Sequence, residues 1–248
     1  MLLKNKWGIV TGCNRGIGSN ILETFSKNGS NIYACVRKID DEFLDKKKEI
    51  EIKNKNQIIP IEFDLSDKNI IKEAANKINQ ENKKIDFLIN NAATIHNKFF
   101  QLTKIDEFHE VFEINFFNQV FFTQNLIRNF IKNKSGSIVF LSSSAAEDGN
   151  VGRSVYSSSK AALNSFAKVL SRELGPSNIR VNVISPGLIS TDMMKKSTNI
   201  NFLENIQKDI PLKRIGQTGD VADLALFLVS DLSKYLTGRE IRIDGGLK

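Results

Sequence analysis

Short apolar runs alternate along the chain with longer segments whose hydrophobic positions recur with a helical period. The short runs are rich in β-branched residues and predict strands. The predicted strands are Trp7–Thr11, Asn31–Val36, Ile58–Phe63, Ile85–Asn90, Ser137–Ser142, Arg180–Ser185 and Glu240–Asp244. The predicted helices cover about residues 16–28, 40–54, 67–81, 104–131, 154–174 and 218–230.

Strands that alternate with helices predict a parallel sheet, because parallel strands need a crossover connection between them. The strands are apolar throughout, so we expect helices on both faces of the sheet. The sequence therefore predicts an α/β fold, a single-domain Rossmann-type doubly wound parallel sheet of about seven strands that spans residues 1–248. The segment at about 187–217 has no clear period and is typical of a lid.

The composition is that of an ordinary globular protein, with 41% hydrophobic and 25% charged residues. No apolar run approaches the roughly 18 residues of a membrane span, and no signal segment precedes the first strand. The two cysteines, Cys13 and Cys35, fit a reducing compartment. We therefore expect a cytoplasmic protein with no membrane partner. The two histidines lack metal-ligand spacing, so no metal site is predicted.

The net charge of +7 raises the question of nucleic acid, since 35 basic residues stand against 28 acidic ones. Lysines outnumber arginines and are scattered along the chain, whereas a DNA-binding protein would concentrate arginine on one helix or stripe. The charged run at 45–56 falls where a surface helix is predicted, which favours a solvated face. We therefore expect no nucleic-acid partner.

A glycine-rich segment, TGCNRGIG, follows the first predicted strand and opens the first predicted helix. Glycines at 12, 16 and 18 allow a tight turn and close packing of helix on sheet. Backbone N–H groups at a helix N-terminus in this position bind the phosphates of a dinucleotide. The alternative is a plain glycine turn between strand and helix.

The end of the second predicted strand carries a second indication about a nucleotide. An acidic residue there would bind a ribose 2′-hydroxyl, but this sequence has Val36, Arg37 and Lys38. Arg15, in the glycine turn, adds another guanidinium that can pair with a phosphate. Asp40 and Asp41 come later and are expected at the start of the next helix. The pattern favours NADP(H) over NAD(H).

The segment YSSSK places Tyr156 and Lys160 four residues apart, on one face of a predicted helix. An ammonium close to a phenol favours the phenolate, so such a tyrosine can exchange a proton with a carbonyl or an alcohol. Upstream, a predicted strand ends at Ser142 and Ser143, where a hydroxyl would face the ligand crevice. Each of these serines could instead cap a helix.

With these motifs in order, the chain resembles the short-chain dehydrogenase/reductase family from end to end. The resemblance rests on TGCNRGIG, FDLSD (63–67), NNA (90–92), INFFNQVFF (114–122), SS (142–143), YSSSK, SPGLISTDM (185–193) and IDGG (243–246). It implies a cofactor half at about 1–135 and a catalytic and substrate half at about 136–248. One departure is Ala93, where the family usually has glycine after NNA.

The resemblance also implies roles for single residues. Ser143 would orient the substrate, Tyr156 would be the acid/base, Lys160 would hold the nicotinamide ribose and lower the pKa of the tyrosine, and Asn115 would position a water in the proton relay. Besides Tyr156 and Lys160, the positions assigned to the cofactor are Gly12, Asn14, Arg15, Gly16, Ile17, Gly18, Arg37, Asp64, Leu65, Asn91, Ala92, Pro186, Gly187, Ile189 and Thr191.

Within the family, the C-terminal third most resembles the 3-oxoacyl-[acyl-carrier-protein] reductases, through SPGLISTDM, residues 211–231 and residues 235–246. This implies reduction of a 3-oxoacyl thioester, with a carrier protein or a small molecule as the substrate partner. A keto-sugar or another small polar carbonyl is the alternative substrate. A non-catalytic dinucleotide sensor and a methyltransferase are alternatives from other classes.

Three further features bear on substrates and partners. Arg128, Lys132 and Lys134 could form a basic patch for an acidic carrier protein, or they could simply be the cationic last turn of a helix. Lys195 and Lys196 in the predicted lid would suit a phosphate-bearing substrate. The phenylalanine-rich helix around Asn115 exceeds the apolar face that one sheet requires, and in this family that helix implies a homotetramer. A simple buried helix is the alternative.

Overall fold

A seven-stranded parallel sheet forms the centre of the molecule in a computed structural model, which describes residues 1–192, 194 and 206–247. Its strands are β1 (Trp7–Thr11), β2 (Asn31–Val36), β3 (Ile58–Glu62), β4 (Phe87–Asn90), β5 (Gly136–Leu141), β6 (Ile179–Pro186) and β7 (Glu240–Ile243). Their order is β3-β2-β1-β4-β5-β6-β7, and every neighbouring pair is parallel. The predicted seven-stranded doubly wound sheet is confirmed.

Helices cover both faces of the sheet, as its apolar strands require. They are α1 (Gly16–Lys27), α2 (Asp41–Asn54), α3 (Lys68–Gln80), α4 (Ile105–Phe112), α5 (Asn118–Asn133), α6 (Ala145–Asp148), α7 (Ser154–Leu174) and α8 (Thr218–Val229). One buried layer contains apolar residues of α1, α2 and α8, and the other contains those of α3, α5 and α7. Asp40 accepts a hydrogen bond from the Phe43 N–H, so it is the expected N-cap of α2.

The direction of strand order reverses between β1 and β4, because β2 and β3 lie on one side and β5 to β7 on the other. Ligands of open α/β sheets bind outside the carboxyl ends of the strands at such a reversal. The residues that follow β1 and β4 therefore face one crevice. The glycine turn follows β1, and Asn91 follows β4.

The prediction of one continuous helix at about 104–131 is wrong. A π-helical turn at Glu113–Phe117 separates α4 from α5. The Asn115 amide oxygen accepts the Thr94 N–H at 2.8 Å, and its nitrogen donates to Ser159 Oγ at 3.1 Å. These contacts cross between elements far apart in sequence, so no local period could reveal the widened turn. A π turn inside a helix is frequently found at a functional site.

The phenylalanines around the π turn belong to two environments. Phe122 is fully buried and packs against Phe63, with ring centroids 4.5 Å apart. Phe116 contacts both Phe117 and Phe166, yet Phe117 remains half exposed. The buried-helix interpretation therefore holds for Phe122, whereas Phe117 is available for a further contact.

Two other expectations concern the cellular compartment and the predicted lid at about 187–217. Among the described residues, no helix is both long and apolar enough to cross a membrane. Cys13 and Cys35 are buried free thiols. The predicted lid is described only at its two ends, where the backbones of Ile189 and Gly216 form a bridge. Lys195 and Lys196 lie outside the described residues.

Candidate active site

The glycine turn after β1 leaves room for a ligand because side chains cannot fill it. Gly12 and Gly16 have φ values of +76° and +60°, which favour glycine. A Cβ atom on Gly18 would collide with the Gly12 carbonyl oxygen and approach the Asn91 amide nitrogen to 2.6 Å. Ile17, between these glycines, turns inward and is half-buried against the core. The turn therefore presents backbone rather than side chains to the crevice.

The N-terminus of α1 opens onto the same crevice. Among the described residues, no acidic side chain caps it. Arg15 is the N-cap residue, but its side chain makes no capping hydrogen bond, and the first turn of α1 contains no acidic residue. Unsatisfied N–H groups and the helix dipole favour a bound phosphate here. These residues fit the phosphates of a dinucleotide, as the glycine spacing predicts.

We expect Gly18→Ala to weaken cofactor binding by at least about tenfold, because the added methyl must displace the backbone of the turn. Fluorescence titration with NADPH measures the dissociation constant. Gly219→Ala is the matched control, since a Cβ atom there meets nothing closer than 4.0 Å. Equal affinities for the two variants would show that the turn does not hold the cofactor.

Thr11 and Asn91 join the glycine turn to the end of β4. The Thr11 hydroxyl accepts the N–H groups of Asn91 and Ala92, both at 2.9 Å. The Asn91 side-chain amide donates to the Thr11 carbonyl at 2.8 Å. The Asn91 side chain thus supports the backbone of the turn. Sequence reasoning missed this role of Asn91, and it did not identify Thr11 as a site residue. A hydroxyl directly before the first glycine was the available signal.

The start of α5 supports two more positions assigned to the cofactor. The Asn118 side chain donates to the Leu65 carbonyl at 2.8 Å. The Gln119 side chain donates to the Ala92 carbonyl at 3.0 Å. Asn118 and Gln119 are buried, so both amides lie within the fold rather than in the crevice. Sequence reasoning placed them in a family motif without a role, and the structure makes them braces for the crevice loops.

Arg37 lies at the end of β2, where the sequence predicts recognition of a 2′-phosphate. Its side chain is 78% exposed, and its Nε lies 3.7 Å from Asp64 Oδ2. The Asn14 side chain accepts the Arg37 N–H and donates to the Lys38 carbonyl, both at 3.3 Å. Burial alone would raise the pKa of Asp64, but hydrogen bonds from Ser66 and the charge of Arg37 lower it. The guanidinium is therefore held beside the crevice and open to solvent.

The loop after β6 closes the crevice from the other side. Thr191 lies against the glycine turn, where a Cβ atom on Gly16 would be 3.6 Å from its methyl group. Ile189 is buried. A cavity of about 270 Å³ lies between α1, this loop and the start of α8, and its lining includes Gly16, Ser190 and Thr191. The structure thus brings Ile189 and Thr191 beside the residues that follow β1.

Pro186 and Gly187 link this loop to the neighbouring strand ends. The Pro186 carbonyl accepts the Ser144 N–H at 2.9 Å, and the Gly187 N–H donates to the Ile243 carbonyl at 3.0 Å. A Cβ atom on Gly187 would lie 2.6 Å from the Cβ of Asp244, so only glycine fits. The ends of β5, β6 and β7 are therefore fixed to one another beside the crevice.

Tyr156 and Lys160 lie on α7, with Ser143 opposite them just after β5. Ser143 is half-buried, and its side chain is close enough to Tyr156 to lower the pKa of the phenol. Its hydroxyl oxygen also accepts the Ala145 N–H at 3.2 Å, so the helix-capping interpretation holds as well. The Ser142 hydroxyl instead donates to the Lys160 carbonyl at 3.1 Å. Of these two serines, Ser143 therefore carries the hydroxyl beside the tyrosine.

Burial dominates the electrostatics of this cluster. It raises the pKa of Tyr156, while the Ser143 hydrogen bond and the positive charge of Arg153 lower it in part. The expectation that Lys160 lowers this pKa stays a prediction. The Lys160 ammonium donates to the Leu141 carbonyl at 2.7 Å and lies 5.9 Å from the tyrosine ring centroid. Sequence reasoning missed Arg153, which lies three residues before Tyr156, a spacing that shares one helix face.

Lys160 is almost completely buried, and burial lowers the pKa of its ammonium from 10.5 to about 7. The unfolded chain therefore binds more protons than the folded one between these values, so this group makes stability rise with pH across that window. We expect the free energy of unfolding of the wild type, relative to Lys160→Met, to rise by about 2 kcal/mol between about pH 7.5 and 9.5. Urea unfolding measures it, and a pH-independent difference would contradict the assignment.

The Asn115 side chain makes three hydrogen bonds within the fold. Besides the contacts to the Thr94 N–H and to Ser159, its nitrogen donates to the Thr94 carbonyl at 2.9 Å. The side chain thus ties the loop after β4 to α7, next to Lys160. These bonds give Asn115 a structural role, and the water-positioning role stays a prediction.

Comparison with known proteins agrees with this geometry. Residues 12–248 match a family model described as enoyl-(acyl carrier protein) reductase. The chain is 34% identical, over 100% of its length and 99% of the relative's, to the 3-oxoacyl-[acyl-carrier-protein] reductase FabG of Buchnera aphidicola subsp. Baizongia pistaciae.

Two solved structures share the fold. One is a 7α-hydroxysteroid dehydrogenase with NADH and 7-oxo glycochenodeoxycholic acid, which is 29% identical with a TM-score of 0.90 over 98% of this chain and 94% of the other. The second is YwfH, an NADPH-dependent reductase of bacilysin biosynthesis, which is 27% identical with a TM-score of 0.91 over 99% of each chain. The chain therefore belongs to the short-chain dehydrogenase/reductase family of oxidoreductases.

Proposed function

We propose that this oxidoreductase reduces the 3-oxo group of an acyl thioester to a 3-hydroxyl group with NADPH. The observation that carries the proposal is the cluster of Ser143, Tyr156 and Lys160 beside the glycine turn. It combines a buried phenol, a serine hydroxyl beside that phenol and a buried amine whose pKa is lowered to about 7. Together these groups form an acid/base site next to a dinucleotide crevice.

NADPH, when bound, supplies the hydride that the carbonyl carbon gains. As that carbon becomes tetrahedral, negative charge develops on its oxygen, and the Tyr156 hydroxyl donates its proton there. The Ser143 hydroxyl donates a hydrogen bond to the same oxygen and holds it in line with the phenol. The product is an alcohol, and Tyr156 regains a proton through Lys160 and the water that we assign to Asn115. In the reverse direction, the tyrosine accepts the proton of the alcohol.

The residues proposed to hold the cofactor form a continuous path. The glycine turn and the N-terminus of α1 bind the phosphates, and Asp64 with Leu65 borders the adenine. Arg37 and Arg15 are exposed beside the turn and recognise the 2′-phosphate, which favours NADP(H). Lys160 holds the nicotinamide ribose, while Pro186, Gly187, Ile189 and Thr191 border the nicotinamide.

The thioester is favoured over a keto-sugar by the FabG relative, which matches over the whole chain. An exposed basic group at the end of α5 supports an acidic carrier protein as partner. Arg128, Lys132 and Lys134 are all exposed there, and Lys132 also suits the dipole of the last helical turn. We further propose a cytoplasmic homotetramer, with the half-exposed Phe117 at a contact between copies.

The substrate is tested by following NADPH oxidation with acetoacetyl-carrier protein, acetoacetyl thioesters of a small thiol and a panel of keto-sugars. The proposal predicts turnover of both thioesters, with a lower KM for the carrier protein, because the basic group at the end of α5 attracts it. Activity confined to the sugars would overturn the substrate and leave the acid/base site intact. Equal KM values for the two thioesters would argue against carrier docking.

A further inference from the structure

A cluster of charges joins β7 to α6 beside the crevice, and the proposed chemistry makes no use of it. Arg242 on β7 places Nη1 2.7 Å from Asp148 Oδ1 and Nε 2.8 Å from Asp244 Oδ2. Its Nη2 donates to the Leu247 carbonyl at 3.3 Å, and Glu147 approaches Nη1 at 3.4 Å. The side chains of Asp148 and Asp244 are only 13% and 10% exposed.

The two aspartate partners of this guanidinium belong to different walls of the crevice. Asp148 ends α6, which begins two residues after Ser143. Asp244 lies directly under Gly187, because a Cβ atom on that glycine would be 2.6 Å from the Cβ of Asp244. Arg242 thus holds the segment that carries the serine and the strand end that supports the cofactor loop.

The segment between Ser143 and Tyr156 has little stiffness of its own. Gly149 and Gly152 have φ values of +66° and +78°, and a Cβ atom on Gly149 would meet nothing within 4 Å. The far end of the segment is held by the Gly152 carbonyl, which accepts the Lys98 N–H at 2.8 Å. Without a restraint at Asp148, the open glycine segment would let α6 shift relative to α7.

Removing the guanidinium would also leave two mostly buried carboxylates close to each other. Desolvation and mutual repulsion would then favour their separation. Burial alone would lower the pKa of Arg242, but Asp148 and Asp244 raise it, so the group stays charged. Among the described residues, Arg242 is the only cation paired with these two carboxylates. The cluster therefore depends on its charge.

We propose that Arg242 is a positioning residue that keeps the Ser143 hydroxyl beside Tyr156 by fixing α6 to β7, an inference that rests on the proposed function. Arg242 touches neither substrate nor cofactor in this account. It acts through Asp148 on the serine segment and through Asp244 on the support of Gly187.

The test compares Arg242→Leu and Arg242→Lys with Arg180→Leu as a matched control. Arg180 is a half-buried arginine near the start of β6, at the amino ends of the strands, and it donates to the Ser230 and Leu236 carbonyls. We expect Arg242→Leu to lower kcat by about 10- to 100-fold with little change in the KM for NADPH, and Arg242→Lys to recover part of it. Arg180→Leu should lower stability and leave kcat near that of the wild type.

A second kinetic readout is the pH profile of alcohol oxidation. The Ser143 hydrogen bond lowers the pKa of Tyr156, so its loss should move the rising limb of that profile to higher pH in Arg242→Leu only. An unchanged profile and an unchanged kcat would overturn the proposal, as would equal losses of kcat in Arg242→Leu and Arg180→Leu.

Amide hydrogen exchange separates this inference from the proposed function, because it needs no turnover. We expect faster exchange at residues 144–153 in Arg242→Leu and no change there in Arg180→Leu. If the wild type reduces no carbonyl, the proposed function fails. The exchange result alone then decides whether Arg242 restrains the segment at 144–153. If the wild type is active and exchange at 144–153 is unaltered, the inference fails while the function stands.

Discussion

Replacing Tyr156 by phenylalanine should lower kcat for carbonyl reduction by about 10²- to 10⁴-fold, the usual contribution of a positioned general acid. The phenyl ring keeps the buried volume next to Ser143, so the fold and the cofactor crevice should remain intact. The substitution removes the hydroxyl that we propose protonates the carbonyl oxygen. Steady-state kinetics with NADPH, together with the dissociation constant for NADPH, measure both expectations.

The matched control is Tyr235→Phe, because Tyr235 is fully exposed and belongs to no part of the proposed site. It should leave kcat unchanged. Full turnover by Tyr156→Phe would exclude the tyrosine as the acid and would require another proton donor. A large loss of NADPH affinity in Tyr156→Phe would instead assign the tyrosine to cofactor binding.

Replacing Arg37 by aspartate should lower the preference for NADPH over NADH by about 100-fold or more. The substitution removes a guanidinium that can pair with the 2′-phosphate and adds a carboxylate that repels it. The same carboxylate can accept a hydrogen bond from the 2′-hydroxyl of NADH. Asp64 would then lie beside a second carboxylate, which further disfavours an anionic cofactor. The ratio of kcat/KM for the two cofactors is the measurement.

Lys53→Asp makes the same change of charge in the last turn of α2, on an exposed residue outside the proposed site. It should leave the cofactor ratio close to that of the wild type, because exposed charges are screened by salt beyond about 10 Å. An unaltered ratio in Arg37→Asp would mean that the end of β2 does not read the phosphate. Equal changes in both variants would indicate an effect of net charge alone.

Features that depend on local spacing could be predicted from the sequence. The glycine turn, the alternation of strands and helices and the shared face of Tyr156 and Lys160 all follow from residues close together in the chain. Each requires only a backbone conformation or a helical period. The choice between Ser142 and Ser143 followed from resemblance, and the hydrogen bond of Ser142 to the Lys160 carbonyl explains why the two serines differ.

Features that depend on contacts between distant segments could not be predicted. The π turn at Glu113–Phe117 accompanies the bonds of Asn115 to Thr94 and Ser159, which lie on two other elements. The contact of Arg242 with Asp148 likewise joins segments that no sequence pattern relates. The direction of the Lys160 ammonium could not be predicted for the same reason, because it donates to the Leu141 carbonyl on another element.

The central claim is that this chain transfers a hydride to a carbonyl carbon and does not merely bind a dinucleotide. It is tested most directly with NADPH that carries deuterium at both C4 positions of its nicotinamide, acetoacetyl-carrier protein and mass spectrometry of the product. The account predicts a 3-hydroxybutyryl product with one deuterium on C3, formed by the wild type and almost absent with Tyr156→Phe. Binding of NADPH without deuterium in any product, across thioesters and keto-sugars alike, would contradict it.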